Sequence, residues 1–417
     1  MSVSLTARAL LANRPFVTLL AARTISMLGM AFSPVALAFG VLQLPGADAA
    51  TLSAVLAAQT APMIALMLVG GVVADRYPRR AVLLVGELFA ATAWGSIGLM
   101  LLSGHAPVWG LCAAAALAGV ASSLIYPALN GIIPDLVPAL HRQQANTWLA
   151  MGASAARLAG LVAGGAVVVW LGGGWAMITA GAFYAVSGAM ILALPKVAGA
   201  LADASQSPLR QLRDGWGEFA SRQWLWVVVA QWSVMVMMLN ASHGVLGPVV
   251  AETELGGAGA WTVVLAGEAL GAVVGVALSL VWRPRRPIFT ATLLTLTAGL
   301  PAVLLGASAP LWTVAAAAFL LGISFDLFGV WWMTTMQNEV PAESLSRVAS
   351  YDALGSLMFA PLGLLLAGPA ALVVGPHLAL VVTGVIAIAT AGIALVSPDV
   401  RRLEAREHAR SELAQAA

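Results

Sequence analysis

Twelve apolar runs, most of about 20 residues or more, follow one another along this chain with only short polar segments between them. They fall at about 15–43, 50–73, 81–103, 107–130, 145–171 and 174–195, then at about 223–248, 258–282, 287–306, 309–335, 345–373 and 376–397. A helix of about 20 apolar residues crosses the hydrocarbon core of a bilayer. Lipid offers the backbone no hydrogen-bond partner, so a spanning segment satisfies its own amides as a helix. Composition agrees. Of the 417 residues, 60% are hydrophobic and 9% charged, against about 25% charged in a soluble domain. A soluble globular protein, a disordered chain and a nucleic-acid binder are excluded. The expected fold is an all-α membrane protein with twelve transmembrane helices.

The arginines set the orientation. No Lys or Arg lies between runs one and two, three and four, five and six, seven and eight, nine and ten, or eleven and twelve. The loops of the other parity hold some or border one: Arg76, Arg79 and Arg80; Arg142; Arg210, Arg213 and Arg222; Arg283, Arg285 and Arg286; and Arg347, the third residue of run eleven. Both tails are basic as well, with Arg8 and Arg14 at one end and Arg401, Arg402, Arg406 and Arg410 at the other. Basic loops stay inside, so both termini are expected in the cytoplasm. Tryptophans 109, 170, 175, 261 and 312 fall near the outer ends, and 224, 226 and 282 near the inner ends, as an interfacial belt would. Lys196 is the only lysine. That bias, with the Ala and Gly excess, suggests GC-rich codons and a bacterial plasma membrane. The N-terminus lacks the short apolar stretch and small-residue cleavage site of a signal peptide.

The chain also repeats itself. The segment from Val137 and the segment from Val340 align without gaps at an offset of 203 residues: Val-Pro-Ala heads both, and Gly152, Gly160 and Gly165 match Gly355, Gly363 and Gly368. YPRR at 77–80 is echoed by RPRR at 283–286. Two pseudo-symmetric six-helix halves are expected, at 1–195 and 223–397, joined by a cytoplasmic linker at 196–222 and followed by a charged tail at 398–417. Parallel halves of this kind are a transporter architecture, with the substrate near the midplane.

On these residues the chain resembles the major facilitator superfamily. Gly71-Val-Val-Ala-Asp75-Arg76-Tyr-Pro-Arg79-Arg80 is similar to the family signature after the second helix. Gly160-Leu-Val-Ala-Gly164-Gly165 resembles the glycine signature of its antiporters, with Leu161 where that signature carries proline. Span four, 107–130, holds no charge where the family commonly has an arginine. The stretches Leu212–Trp226 and Met336–Ser350 resemble the branch of enterobactin exporters and of macrolide and multidrug efflux pumps. The resemblance implies a secondary active transporter working by alternating access, monomeric, driven by a proton gradient and needing no cofactor. Gly71, Asp75, Arg76, Arg79 and Arg80 would then form a gate. Asp75 would latch onto the positive end of helix eleven. The alternative for the Arg residues is topology alone.

Ionisable residues inside spans are costly, by at least about 2.5–3.5 kcal/mol at the centre, so function is the default reading. Arg157 precedes Gly160 and Gly164, and Glu268 precedes Gly271 and Gly275. Each charge thus shares a helix face with small residues, where helices approach closely. The resemblance sets helices five and eight face to face, so Arg157 and Glu268 are expected to pair, either remade in each cycle or fixed. Asp326 lies in span ten, which lines the cavity by the same resemblance, along with spans one, four and seven. Asp326 and Glu268 are the expected proton-coupling carboxylates, with a hydrogen-bonded structural aspartate as the alternative for Asp326. Glu87, Asp352 and Arg347 lie nearer the cytoplasmic ends. The expected substrate cavity comprises Arg23, Tyr126, Asn130, Trp232, Asn240, His243 and Asp326. Ser122, Ser123, Met235 and Met238 are further polar or soft candidates there, and lipid-facing or packing roles explain Trp and Met equally well. Arg23 either meets an anionic substrate group or pairs with Glu87 or backbone carbonyls. His105, His141, His377 and His408 fall in loops or the tail and read as solvated.

No GxxxxGK[ST], HExxH, CxxC or GxSxG motif is present, and Cys112 is the only cysteine. ATP-driven transport, hydrolysis and a cysteine-based metal site therefore have no support. The expected function is proton-coupled export of a small amphipathic molecule such as a drug, antibiotic or siderophore. The expected partners are that substrate and the lipid bilayer, with no nucleic acid. An importer or symporter on the same fold is the alternative, and a non-transporting sensor or scaffold the second alternative.

Overall fold

A computed structural model describes residues 10–138, 141–195 and 216–404. They are helical almost throughout. The helices, in chain order, are α1 (Arg14–Leu42), α2 (in two pieces, Ala49–Ala65 and Met67–Arg76), α3 (Arg79–Ser103), α4 (Val108–Leu136), α5 (Arg142–Leu171) and α6 (Gly173–Ile191). Then come α7 (Gln223–Leu255), α8 (Ala258–Val281), α9 (Pro287–Gly306), α10 (Leu311–Glu339), α11 (in two pieces, Ala342–Leu357 and Ala360–Val374) and α12 (Pro376–Ala394). A short helix, Pro398–Arg402, follows. Among the described residues eleven helices are long and apolar enough to cross a membrane. The exception is α2, whose apolar piece Ala49–Ala65 is only 17 residues long.

The breaks have local causes. Pro62 lies inside the first piece of α2, which ends three residues later at Ala65 with Leu66 as its C-cap. A proline removes one amide donor and crowds the preceding turn. Pro361 opens the second piece of α11 after Phe359, and the residues before a proline disfavour helical geometry. The expected unbroken runs at 50–73 and 345–373 are therefore each two helical pieces. In α7 the ladder loosens into π turns over Asn240–Leu246 and Ala251–Leu255, on either side of Gly247–Val250 with its Pro248. Residues 196–215 of the expected linker and 405–417 of the tail lie outside the described residues.

The chain divides into two compact units, Met1–Asp203 with Gly256–Thr262, and Ala204–Leu255 with Val263–Ala417. In the first, α1 packs along α5 and α6, α3 along α4 and α6, and α2 along α4. In the second, α7 packs along α11 and α12, and α9 along α10 and α12; α8 meets α10 so closely that a Cβ on Gly271 would lie 1.9 Å from the Phe319 carbonyl. Each pairing of one unit thus recurs in the other, six helices on. The repeat glycines stand at matching contacts. Gly152 faces Thr24 of α1 where Gly355 faces Val229 of α7, and Gly160 faces Leu28 where Gly363 faces the Met237 carbonyl.

Candidate functional site

In the first unit α1 carries Arg23, Ser26 and Met30 at helical spacing toward α4 and α6. The Arg23 guanidinium carbon stands 5.9 Å from the centroid of the Tyr126 ring, within range of a cation–π contact. The Tyr126 hydroxyl meets the Met30 sulfur at 3.2 Å, and the tyrosine is 41% exposed. Behind this pair Glu87 of α3 is only 2% exposed. Its carboxyl faces Ser26, Ser187 and, through space, Arg23. Tyr184 also bears on it. Gly29 admits the Tyr184 ring, which would lie 2.9 Å from a Cβ there. Arg23 therefore stacks on Tyr126 rather than pairing directly with Glu87. Ser26, Tyr184 and Ser187 escaped the sequence reading. Only the i, i+3 spacing of 23 with 26 and of 184 with 187 could have hinted at them.

The gate signature bridges α2 and α3. Helix α2 ends at Arg76, Tyr77 is extended (φ −113°, ψ 156°), and α3 begins at Arg79. Arg80 donates from Nε to the Ile191 carbonyl at 3.2 Å and from its Nη2 to the Leu192 carbonyl. It thus ties down the orphan carbonyls at the end of α6, a favoured place for a cation. Arg76 is exposed and Arg79 makes contacts of its own. The side chains of Asp75, Asn130 and Arg347 lie outside the described residues, and Gly71, within α2, has none.

In the second unit His243 sits in the first π turn of α7. Its Nδ1 stands 3.2 Å from the Leu239 carbonyl and 3.3 Å from the Ser242 hydroxyl. Its Nε2 stands 3.3 Å from Oε2 of Glu268 on α8, both side chains being partly buried. The structure thus gives Glu268 a titratable neighbour that sequence reasoning placed only in the cavity. π turns are frequent at functional sites, and this one brings the imidazole to Glu268 of α8. Asn240 donates to the Val236 carbonyl at 2.9 Å, within its own helix. Trp232 of α7 lies between Phe325 and Phe328 of α10, with centroids 4.9 and 4.6 Å away. Its buried indole Nε1 has no hydrogen-bond partner. Asp326, between those phenylalanines in sequence, is partly buried and makes contacts of its own. Arg157 is exposed on α5, and its pairing with Glu268 stays an expectation.

Two further carboxylates hold helices together. Asp352 of α11 accepts from Trp332 Nε1 of α10 at 3.1 Å. Glu254, at the end of α7, meets Nε2 of His377 on α12 at 2.6 Å, while His377 Nδ1 stands 3.2 Å from the Gly306 carbonyl. His377 is therefore not a solvated loop histidine; it joins three helix ends. His141 also departs from that reading, since its Nδ1 is buried. Among the described residues no group of three or more His, Cys, Asp or Glu could hold a metal ion.

A family model described as Major Facilitator Superfamily matches residues 16–356. No curated protein sequence matches the chain. Solved structures share the fold at low identity. The nucleoside transporter NupG aligns with a TM-score of 0.74 and 12% identity over 94% of this chain and 100% of its own. A bacterial homologue of the human lysosomal transporter Spinster gives 0.70 and 15% over 93% and 96%. A POT family transporter in complex with 5-aminolevulinic acid gives 0.73 and 14% over 93% and 97%. These findings indicate a multi-pass membrane transporter, not an enzyme.

Proposed function

The chain belongs to the Major Facilitator Superfamily, and on that premise we propose that it exports an amphipathic small molecule by proton antiport and alternating access. The observation that carries the proposal is the contact of Glu268 with His243 on two apolar helices. A carboxylate and an imidazole at this separation can hold a proton between them and give it up when either partner is drawn away. Intramembrane carboxylates that face protein mark proton relays in transporters. Asp326 on α10 is the second coupling carboxylate, and the Arg157–Glu268 pairing read from the sequence is kept as part of this proposal. Arg23, Tyr126, Asn130, Trp232, Asn240 and His243 are assigned to the substrate, with rings and methionines supplying adaptable apolar contact. The Gly71–Arg80 segment is the gate.

Direction of transport rests on the resemblance of Leu212–Trp226 and Met336–Ser350 to exporters. The broken α2 is taken as the twelfth crossing. Both termini then lie in the cytoplasm of a bacterial cell, by the parity of the arginines. The protein works as a monomer in the plasma membrane, with no cofactor and the proton gradient as its driving force. A second reading, import or symport, is favoured by Leu161 and by the absence of charge from 107–130.

The test is accumulation of cationic, neutral and anionic fluorescent compounds in an efflux-deficient host, with and without the protein and a protonophore. Protein-dependent exclusion abolished by the protonophore is expected. Added uptake would overturn export in favour of the importer.

A further inference from the structure

The first unit contains a buried carboxyl that the export reading does not use. Glu87 lies eight residues into α3, 2% exposed, and Ser26 and Ser187 beside it are 1% and 0% exposed. Oε2 of Glu87 and Oγ of each serine make no well-formed hydrogen bond, although both hydroxyls stand near enough to the carboxyl to act on it. Among the described residues no cation lies within ion-pair distance of Glu87; the Arg23 guanidinium acts on it only through space while stacked on Tyr126.

Buried polar atoms are nearly always paired, and an orphaned cluster calls for an explanation. An ionised carboxylate in this place would be a buried charge without a contacting counter-ion, the costliest arrangement available to it. A proton removes that difficulty. The acid form carries one O–H donor and retains acceptor capacity. It can donate to one serine and accept from the other; an ionised carboxylate could accept from both, but only the acid form pairs these atoms without leaving a buried charge.

We propose that Glu87, Ser26 and Ser187 form a proton-binding site within the first unit, discharged by movement of Arg23 from the Tyr126 ring toward the carboxyl. On discharge the O–H bond of Glu87 breaks, the proton passes to water, and the electron pair stays on a carboxylate now facing the guanidinium. A flat or cationic group settling on the exposed face of Tyr126 would compete for the ring and drive that movement. The groups facing Glu87 are few. Helix α1 supplies Arg23 and α6 supplies Tyr184; Tyr126 of α4 bears on Arg23 and Tyr184, and the one charge of α4, Asp135, comes only at its end. The second piece of α2, which also touches α3, brings its charges Asp75 and Arg76 only at its end. The proton site stands on this geometry alone; its coupling to a substrate rests on the antiport reading above.

The experiment is infrared difference spectroscopy of the purified full-length protein in lipid, titrated from acid to alkaline pH. The carbonyl stretch of a protonated carboxyl is expected near neutral pH and should be lost in Glu87→Gln, but kept in Glu268→Gln and Asp326→Asn. Glu87→Gln mimics the acid form and should melt at the parent temperature. Ser26→Ala with Ser187→Ala should move the band to higher frequency, because its hydrogen bonds are gone. Arg23→Gln should keep the band at alkaline pH values where the parent has lost it. A parent spectrum without the band, or a band unchanged in both Glu87→Gln and the serine double variant, would overturn the site. Failure of the export assay would leave these spectra untouched, so the two readings fail separately.

Discussion

Nε2 of His243 lies 3.3 Å from Oε2 of Glu268, although the two residues stand 25 positions apart on different helices. The π turn of α7 makes this possible, since the extra residue rotates His243 out of the face that an unbroken helix would give it. Removing one partner leaves the other partly buried without its complement, which costs more than the pair contributes when intact. Glu268→Gln is therefore expected to abolish protonophore-sensitive exclusion of the test compound. His243→Ala should reduce it about 100-fold, the lower end of the scale for a lost general acid–base group. Exclusion assays on both variants, at matched expression, check this. Full activity in Glu268→Gln would remove the carboxylate from the coupling mechanism.

The glycine contacts make a stability prediction. A Cβ on Gly363 would meet the Met237 carbonyl at 2.0 Å, while one on Gly392 meets nothing within 4 Å. Gly363→Ala should force α7 and α11 apart and cost about 1–3 kcal/mol. Gly392→Ala should be neutral or stabilising by up to about 1 kcal/mol, because alanine favours helix over glycine. Thermal melts in detergent distinguish the two. Equal melting temperatures would show that α11 yields without strain.

Much of this is legible in the amino-acid sequence. Lipid permits almost nothing but long apolar helices, so the runs and the arginine parity stand out in the sequence. The repeat was legible through Gly152, Gly160, Gly355 and Gly363, because a backbone contact tolerates no side chain. Partners were less so. His377 reads as a loop histidine because Glu254 lies 123 positions away. Glu87 reads as a residue near a helix end because Ser26 and Ser187 are single hydroxyls on other helices, with no pattern of their own. The breaks in α2 and α11 had visible prolines, but whether proline kinks, breaks or is tolerated depends on the packing around it.

Asp48 caps α2. The Thr51 amide donates to its Oδ1 at 2.8 Å and the Thr51 hydroxyl at 2.9 Å. These bonds, the Thr51 amide foremost, hold the Asp48 carboxyl below its ordinary value. A carboxylate with a depressed folded-state value contributes stability that is fully present above the unfolded value, about 3.9, and is lost as pH falls through the folded value. Asp48→Ala is expected to cost about 0.5–1 kcal/mol at pH 7, the lower part of the range for an exposed cap. The gap between variant and parent should narrow as the pH is taken below about 3.9. Melting temperatures at the two pH values measure it; an undiminished gap in acid would mean that the side chain acts by packing, not by its charge.

Arg80 separates anchoring from gating within one signature. Its guanidinium reaches the Ile191 and Leu192 carbonyls at the end of α6, so its contacts lie inside the first unit and are structural. Arg80→Ala should lower stability by about 0.3–1 kcal/mol, or up to about 2 if the site is partly dry. Any fall in transport should track the loss of folded protein. Arg80→Lys keeps the charge but cannot fork across two carbonyls, and should recover part of the loss. Asp75→Asn should behave in the opposite way, with an unchanged melting temperature and reduced transport, because a latch acts on the balance of states and not on the fold. Melting and transport measured on the same three preparations decide the matter. If Arg80→Ala reduces transport at full stability, Arg80 belongs to the gate; if Asp75→Asn lowers the melting temperature, the latch is an ordinary structural contact.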